Sequence, residues 1–346
     1  MQFNDKALSG GTTIALVGTT SSGKSTIGNL LCGHFILPVD AQETTTRAIK
    51  LRHSPHLTKA MMTQEKSNVI VHSDMGIRDC LAEKMAQPVN EQPPIRVDIP
   101  IGVGRPCLLS SLGIRSFISY CRGGAAPRLQ YPHGPLTIID LPGYKYVNDN
   151  KTLDHILNGC SNAIPLLIFN AEETDTSKED ALVKALLSTC REGGKSSSSV
   201  LYVLNRVDCF HRDQNAEKAL ATTRLRVQLL RLRLAGLHKE VFGKNEKSEV
   251  ELLPLAAMPA FTGELLARGT GELSNGDRDW LFTQASSFVR LVRHGYGMNN
   301  MPLSAEQWSW LQVRKYIQHI RHVSGYEDLL RSMGRRLQET VNLYRI

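Results

Sequence analysis

The sequence predicts an α/β fold: a mostly parallel central sheet flanked by helices, followed by a C-terminal helical extension. Three observations carry this. Short apolar runs alternate with amphipathic helical stretches, the pattern of strands joined by helical crossovers. A glycine-rich turn, Gly18-Thr19-Thr20-Ser21-Ser22-Gly23-Lys24-Ser25, stands between the first apolar run and the first helical stretch. After Phe261 the strand signals stop and only helical periodicity remains.

In chain order, residues 12–17 read as a buried strand and 24–31 as a helix that begins inside the glycine-rich turn. Residues 47–51 carry a weaker strand signal. Residues 53–135 have the least pattern. Within them 77–85 has helical spacing, Gln92-Pro93-Pro94 marks a turn, and Ile95-Arg96-Val97-Asp98-Ile99 alternates like a half-exposed strand. Residues 136–140, 164–169, 200–204 and 250–255 are strands, and 179–191 and 215–241 are helical. Residues 276–293 and 304–344 are also helical. The expected division is a tail at 1–11, a domain at 12–262 carrying an insertion at about 53–135, and a helical segment at 263–346.

The 346 residues are 41% apolar and 21% charged, an ordinary globular composition. That length buries a sizeable core. A net charge of +8 points to acidic partners such as nucleotides, RNA or anionic lipid, or to a solvated basic surface. The last segment sets Arg314, Lys315, Arg321, Arg331, Arg335, Arg336 and Arg345 against Glu327, Asp328 and Glu339, which reads as a solvated helix face. The seven cysteines form no C-x-x-C pair, which argues against a zinc site or disulfide framework and for a reducing compartment. The start has no basic-then-apolar leader pattern, and no apolar run is long enough to span a bilayer. A cytoplasmic protein is the expectation.

Gly18-x-x-x-x-Gly23-Lys24-Ser25 is a complete P-loop pattern in its proper context, strand before and helix after. Gly18 and Gly23 allow turns that aim successive N–H groups of Thr19, Thr20, Ser21, Ser22 and Thr26 inward. Together with the helix N-terminus, such groups solvate phosphate oxygens. Lys24 would neutralise the β- and γ-phosphates, and Ser25 would ligate Mg²⁺. The pattern does not by itself select ATP or GTP.

Asp140-Leu141-Pro142-Gly143 follows a strand and resembles the D-x-x-G element of GTPases. In that element the aspartate holds Mg²⁺ through water and the glycine N–H bonds the γ-phosphate. Asn205-Arg206-Val207-Asp208 resembles the N-K-x-D guanine reader. A carboxylate at Asp208 accepts from guanine N1–H and its 2-amino group, donors that adenine lacks, so the element favours GTP. Arg206 replaces the lysine, and its alkyl stem can still cover the base. Ala257, in Leu255-Ala256-Ala257-Met258, matches the residue whose N–H meets guanine O6, although a plain strand end reads the same way. Glu43-Thr44-Thr45-Thr46-Arg47 offers three threonines to complete the Mg²⁺ shell.

Together these elements resemble TRAFAC-type GTPases, and within them the dynamin superfamily. The P-loop G-T-T-S-S-G-K-S is close to the dynamin G-x-x-S-x-G-K-S form, and residues 35–47 (FILPVDAQETTTR) resemble its leucine-proline then threonine-arginine stretch. A long insertion separates Thr46 from Asp140, as in dynamins, and LTIIDLPG at 136–143 reads almost as their consensus. Residues 324–330 resemble the segment that closes bacterial dynamin-like GTPase domains.

The resemblance implies GTP hydrolysis with Mg²⁺, Lys24, Thr46, Ser21 and Thr20 in catalytic roles, and Ser25, Thr46 and Asp140 at the metal. It selects Thr46, with Thr45 in reserve. It also implies a homodimer across the nucleotide face and a peripheral membrane contact. Two departures stand out. Thr20 occupies the place of the dynamin P-loop glutamine, and Tyr144 that of the Ras-like water-orienting glutamine. Slow hydrolysis, or completion of the site by a partner chain, follows. DLPGYKY at 140–146 is also similar to the D-L-P-G-Y-G-Y motif of EngB-type ribosome-assembly GTPases, and the basic charge would suit RNA. That family is shorter and lacks the insertion. A GTP-binding switch or scaffold with negligible turnover is the further alternative. An ATP- or metabolite-phosphorylating enzyme is disfavoured by Asn205–Asp208.

Overall fold

The computed structural model describes residues 13–39, 47–54, 57, 59–63, 70–71, 73–86, 94–100, 136–145, 150–160, 162–211, 216–243, 250–268, 273–289 and 300–343. The tail at 1–11, Thr44, Thr45 and Thr46, the turn at 92–93, Arg345 and much of the insertion lie outside them.

The described strands are β1 (Thr13–Gly18), β2 (Ile49–Ser54), β3 (Met61–Thr63), β4 (Ile70–Val71), β5 (Ile95–Pro100), β6 (Thr137–Asp140), β7 (Ile164–Asn170), β8 (Leu201–Asn205) and β9 (Leu252–Leu255). They form one mixed sheet in the order β4-β3-β5-β2-β6-β1-β7-β8-β9. The run β6-β1-β7-β8-β9 is parallel throughout. β2 pairs antiparallel with β6 and parallel with β5, and β3 and β4 continue the edge in antiparallel pairs. The predicted strands are present, with ends moved by one to three residues. β3 and β4 lie in the poorly patterned stretch and are too short to display an alternation.

The described helices are α1 (Lys24–Cys32), α2 (Asp74–Met85), α3 (Asn150–Cys160), α4 (Ser177–Glu192), α5 (Ala216–Phe242), α6 (Ala257–Arg268), α7 (Asn275–Ser287), α8 (Trp310–Val323) and α9 (Tyr326–Leu343). None is long and apolar enough to cross a membrane. Strand periodicity sorts the apolar residues into two cores. Ile14, Leu16, Leu166, Ile168, Leu201 and Val203 point to one face, where α1, α2 and α6–α9 cover them. Ala15, Val17, Leu167, Phe169, Tyr202 and Leu204 point to the other, under α3, α4 and α5. Cys32, Cys160 and Cys190 are buried thiols, and burial pushes that of Cys160 up to about 12.

The helical reading of 304–344 needs correction. A 3-10 turn at Ala305–Gln307 comes first, and a capping box between Ser309 and Gln312 starts α8. The chain then breaks at Ser324-Gly325. The Ala256 N–H donates to the Ser324 carbonyl at 2.8 Å, and Gly325 turns at φ 77. A side chain there would run into the Pro254 carbonyl. The break lets Tyr326 reach α1, where its hydroxyl donates to the Leu30 carbonyl at 3.4 Å.

Candidate functional site

β1 lies between β6 and β7, so the connections leaving its two neighbours diverge at its C-terminal end. Ligands of open α/β sheets bind in such a crevice. Here β1 runs into the P-loop. Ser21 at φ 60 and Gly23 at φ 86 are left-handed, which turns the loop back on itself. A Cβ on Gly18 would lie 2.5 Å from the Ile168 carbonyl, and one on Gly23 would strike the Asn205 amide. Neither position accepts a side chain.

The loop is arranged for an anion. α1 has no side-chain cap at its N-terminus, so its first-turn N–H groups face the loop interior. The hydroxyls of Thr19, Thr20 and Ser22 are buried and have no hydrogen-bond partner among the described residues. Buried hydroxyls of this kind normally find a partner. The Lys24 ammonium, also buried, donates to the Thr19 carbonyl at 2.8 Å and the Gly18 carbonyl at 3.3 Å. It thus holds a positive charge against the loop. Thr26 is buried behind it.

β6 delivers the second element. The Ser25 hydroxyl donates to Asp140 Oδ2 at 2.8 Å. Two hard oxygen ligands on adjacent elements suit Mg²⁺, which binds through one or two protein oxygens plus substrate phosphate. Beyond Asp140 the chain pairs with the P-loop. The Tyr144 N–H donates to the Gly18 carbonyl at 3.2 Å, and the Thr20 N–H to the Tyr144 carbonyl at 3.4 Å. Gly143 is thereby pressed on Thr20: a Cβ would sit 2.9 Å from the Thr20 Cα. The Tyr144 side chain is buried in the core with Val17, Leu141 and Ile156. The place of the Ras-like glutamine is filled by a packing residue.

β8 and β9 deliver the third. Asn205 is buried, and its amide group donates to the Ser22 carbonyl at 2.9 Å. Its amide oxygen accepts from the Ala257 N–H at 3.1 Å. The N–H matched above to guanine O6 is therefore engaged by Asn205. Arg206 takes a left-handed φ of 67 and pairs with Glu172 at 2.9 Å. Asp208 is buried in the 3-10 turn Val207–His211. Burial pushes the Tyr316 hydroxyl above its ordinary range; its hydrogen bond with Thr262 opposes this, and the Asp208 charge adds to it.

The structure thus gathers Gly18 to Thr26, Asp140 to Tyr144, Asn205 to Asp208 and Ala257 at one edge of the sheet. Thr46 lies outside the described residues. Two neighbours had no motif to reveal them: Glu172, the partner of Arg206, and Asn170, whose side chain accepts from the Glu172 N–H at 3.0 Å.

Residues 14–99 match the family model described as the dynamin family. None of the curated proteins compared with the chain matches it. The family match supports a dynamin-superfamily P-loop GTPase domain, and so a GTP-binding, dynamin-family GTPase in general.

Proposed function

We propose that this chain binds GTP with Mg²⁺ and hydrolyses it to GDP and phosphate, slowly when alone. The Asn205 side chain is the observation that carries the reading. It ties the P-loop through Ser22 to the start of α6 through Ala257, fixing the distance between phosphate cradle and base reader. A nucleotide that fits both must have the matching base.

In this reading Lys24 and N–H groups of the loop and of the first turn of α1 hold the phosphates, apart from those of Thr20 and Ser22, which donate to the Tyr144 and Thr19 carbonyls. Ser25, Thr46 and Asp140 would hold Mg²⁺, whose charge offsets that of the phosphates. Asp208 accepts from guanine N1–H and the 2-amino group, and the Arg206 stem covers the base. Water attacks the γ-phosphorus in line, so catalysis is positioning and charge stabilisation. Gly143 senses the γ-phosphate, and Thr20 and Ser21 border the reacting group. Buried Tyr144 cannot orient the water, which supports slow turnover. A second copy across the nucleotide face completes the site in this reading.

Asp208→Asn tests the base assignment. GTP affinity should fall at least about tenfold while xanthosine triphosphate gains, since the reader's hydrogen-bond pattern is altered. Unchanged base preference overturns the guanine reading. Turnover per molecule that stays near zero at every protein concentration, with tight GTP binding, makes the chain a switch instead.

A further inference from the structure

The outer face of α5 carries leucines where a helix of this kind normally carries charge. Val227, Leu230, Leu234 and Leu237 point into the core. On the opposite side Leu225, Leu229 and Leu232 are 57%, 53% and 66% exposed. They recur at helical spacing, so they form one stripe. Exposed Ala221 extends it at one end and exposed Gly236 at the other. Nothing lies within 4 Å of where a Gly236 side chain would be. A glycine inside a helix costs stability, and the described residues give no packing reason for it.

We propose that this stripe docks against the same stripe of a second copy, antiparallel, about a two-fold axis between Gln228 and Leu229. That axis sets Leu225 opposite Leu232 of the second copy, and Ala221 opposite Gly236, so small meets small where the helices must approach. The ends agree in charge. Glu217 and Lys239 lie on one flank of the stripe, and Lys218 and Glu240 on the other, all exposed. Antiparallel pairing brings Glu217 to Lys239 and Lys218 to Glu240. Parallel pairing would instead bring Glu217 to Lys218 and Lys239 to Glu240, and there the double charge swap would not restore association. Exposed pairs add little affinity. Glu240 also pairs with Lys184 of its own chain at 2.7 Å and stays more than half exposed.

The 27-residue helix is about 40 Å long and offers a strip about 10 Å wide. Two such strips bury about 800 Å², less than the roughly 1,200 Å² of a stable complex, so the dimer is weak and reversible. It uses a different surface from the nucleotide face.

Sedimentation velocity without nucleotide, from about 5 to about 500 µM protein, should show the monomer giving way to dimer. Leu229→Glu, which sets like charges beside the axis, should weaken association at least about thirtyfold. Glu217→Lys and Lys239→Glu should each weaken it about two- to fivefold, and the two together should restore it. Far-UV circular dichroism and the melting temperature control for folding, and these exposed changes should leave both unaltered. A wild-type chain that stays monomeric overturns the proposal and leaves the stripe to another protein or to solvent. A dimer that survives Leu229→Glu overturns it, and so does a charge swap that fails to restore association.

Discussion

The P-loop and the outer face of α5 break the usual rule of burial in opposite directions. At the P-loop, hydroxyls of Thr19, Thr20 and Ser22 are buried without hydrogen-bond partners among the described residues. On α5, Leu225, Leu229 and Leu232 are left in solvent. A buried unsatisfied hydroxyl costs about 1–3 kcal/mol. An exposed leucine forgoes up to about 1.5–3 kcal/mol of burial. The polar mismatch is rigid, built from glycine turns and backbone contacts, and it suits a small charged ligand. The apolar mismatch is a flat ridge, and it suits another macromolecular surface. Both leave the chain below its attainable stability, and each points to the chemistry that would satisfy it.

The largest expected effect tests the polar end. Lys24→Ala should reduce nucleotide affinity by more than about a thousandfold, because no other described cation sits inside the loop. Calorimetric titration with GTP reads this, and unchanged affinity would remove the phosphate-cradle assignment.

Next comes the buried side of α5. Leu234→Ala should cost about 2–5 kcal/mol of unfolding free energy in urea, since Leu234 is fully enclosed. A smaller loss would mean that the helix sits loosely on β9 and α4.

Gly143→Ala should come third. The new methyl would press on the Thr20 backbone, 2.9 Å from its Cα, and displace the loop. Single-turnover hydrolysis should slow by about tenfold, while GDP affinity, which does not depend on γ-phosphate sensing, changes less. An equal loss of GDP and GTP binding would make Gly143 a packing residue and not a sensor.

The smallest effect sharpens the contrast on a single helix. Leu232→Ala, two positions from Leu234, should shift monomer stability by under about 0.5 kcal/mol when measured at low protein concentration. A loss matching that of Leu234→Ala would show that the stripe is covered within the chain.

The parts of the molecule differ in how plainly the sequence announces them. The P-loop, Asp140-x-x-Gly143 and Asn205-x-x-Asp208 are local: each places its chemistry within a few residues, on one strand end, so spacing alone exposes it. The same holds for β1, β6, β7 and β8, whose apolar runs must be continuous because both faces are covered. β3 and β4 escaped notice because a strand of two or three residues has no period. The break at Gly325 escaped because helical spacing continues through it in the sequence. Only the Pro254 carbonyl, far away in the chain, forbids a side chain there. Tyr144 reads as a lost glutamine in the motif. Its actual role, packing against Val17 and Ile156, depends on a helix that enters later.

By itself, then, the sequence determined the three motifs Gly18–Ser25, Asp140–Gly143 and Asn205–Asp208, because each is a short-range pattern of backbone freedom and donor chemistry. Tertiary structure decided how they meet. Asn205 bridges Ser22 and Ala257, residues distant in the chain, and the parallel register of β8 with β9 brings them within hydrogen-bond reach. Tertiary structure also decided which leucines of α5 face water. The helix is apolar on more than one side, and periodicity cannot say which side the sheet takes; packing against β9 and α4 chose Leu230, Leu234 and Leu237 and left Leu225, Leu229 and Leu232 outside.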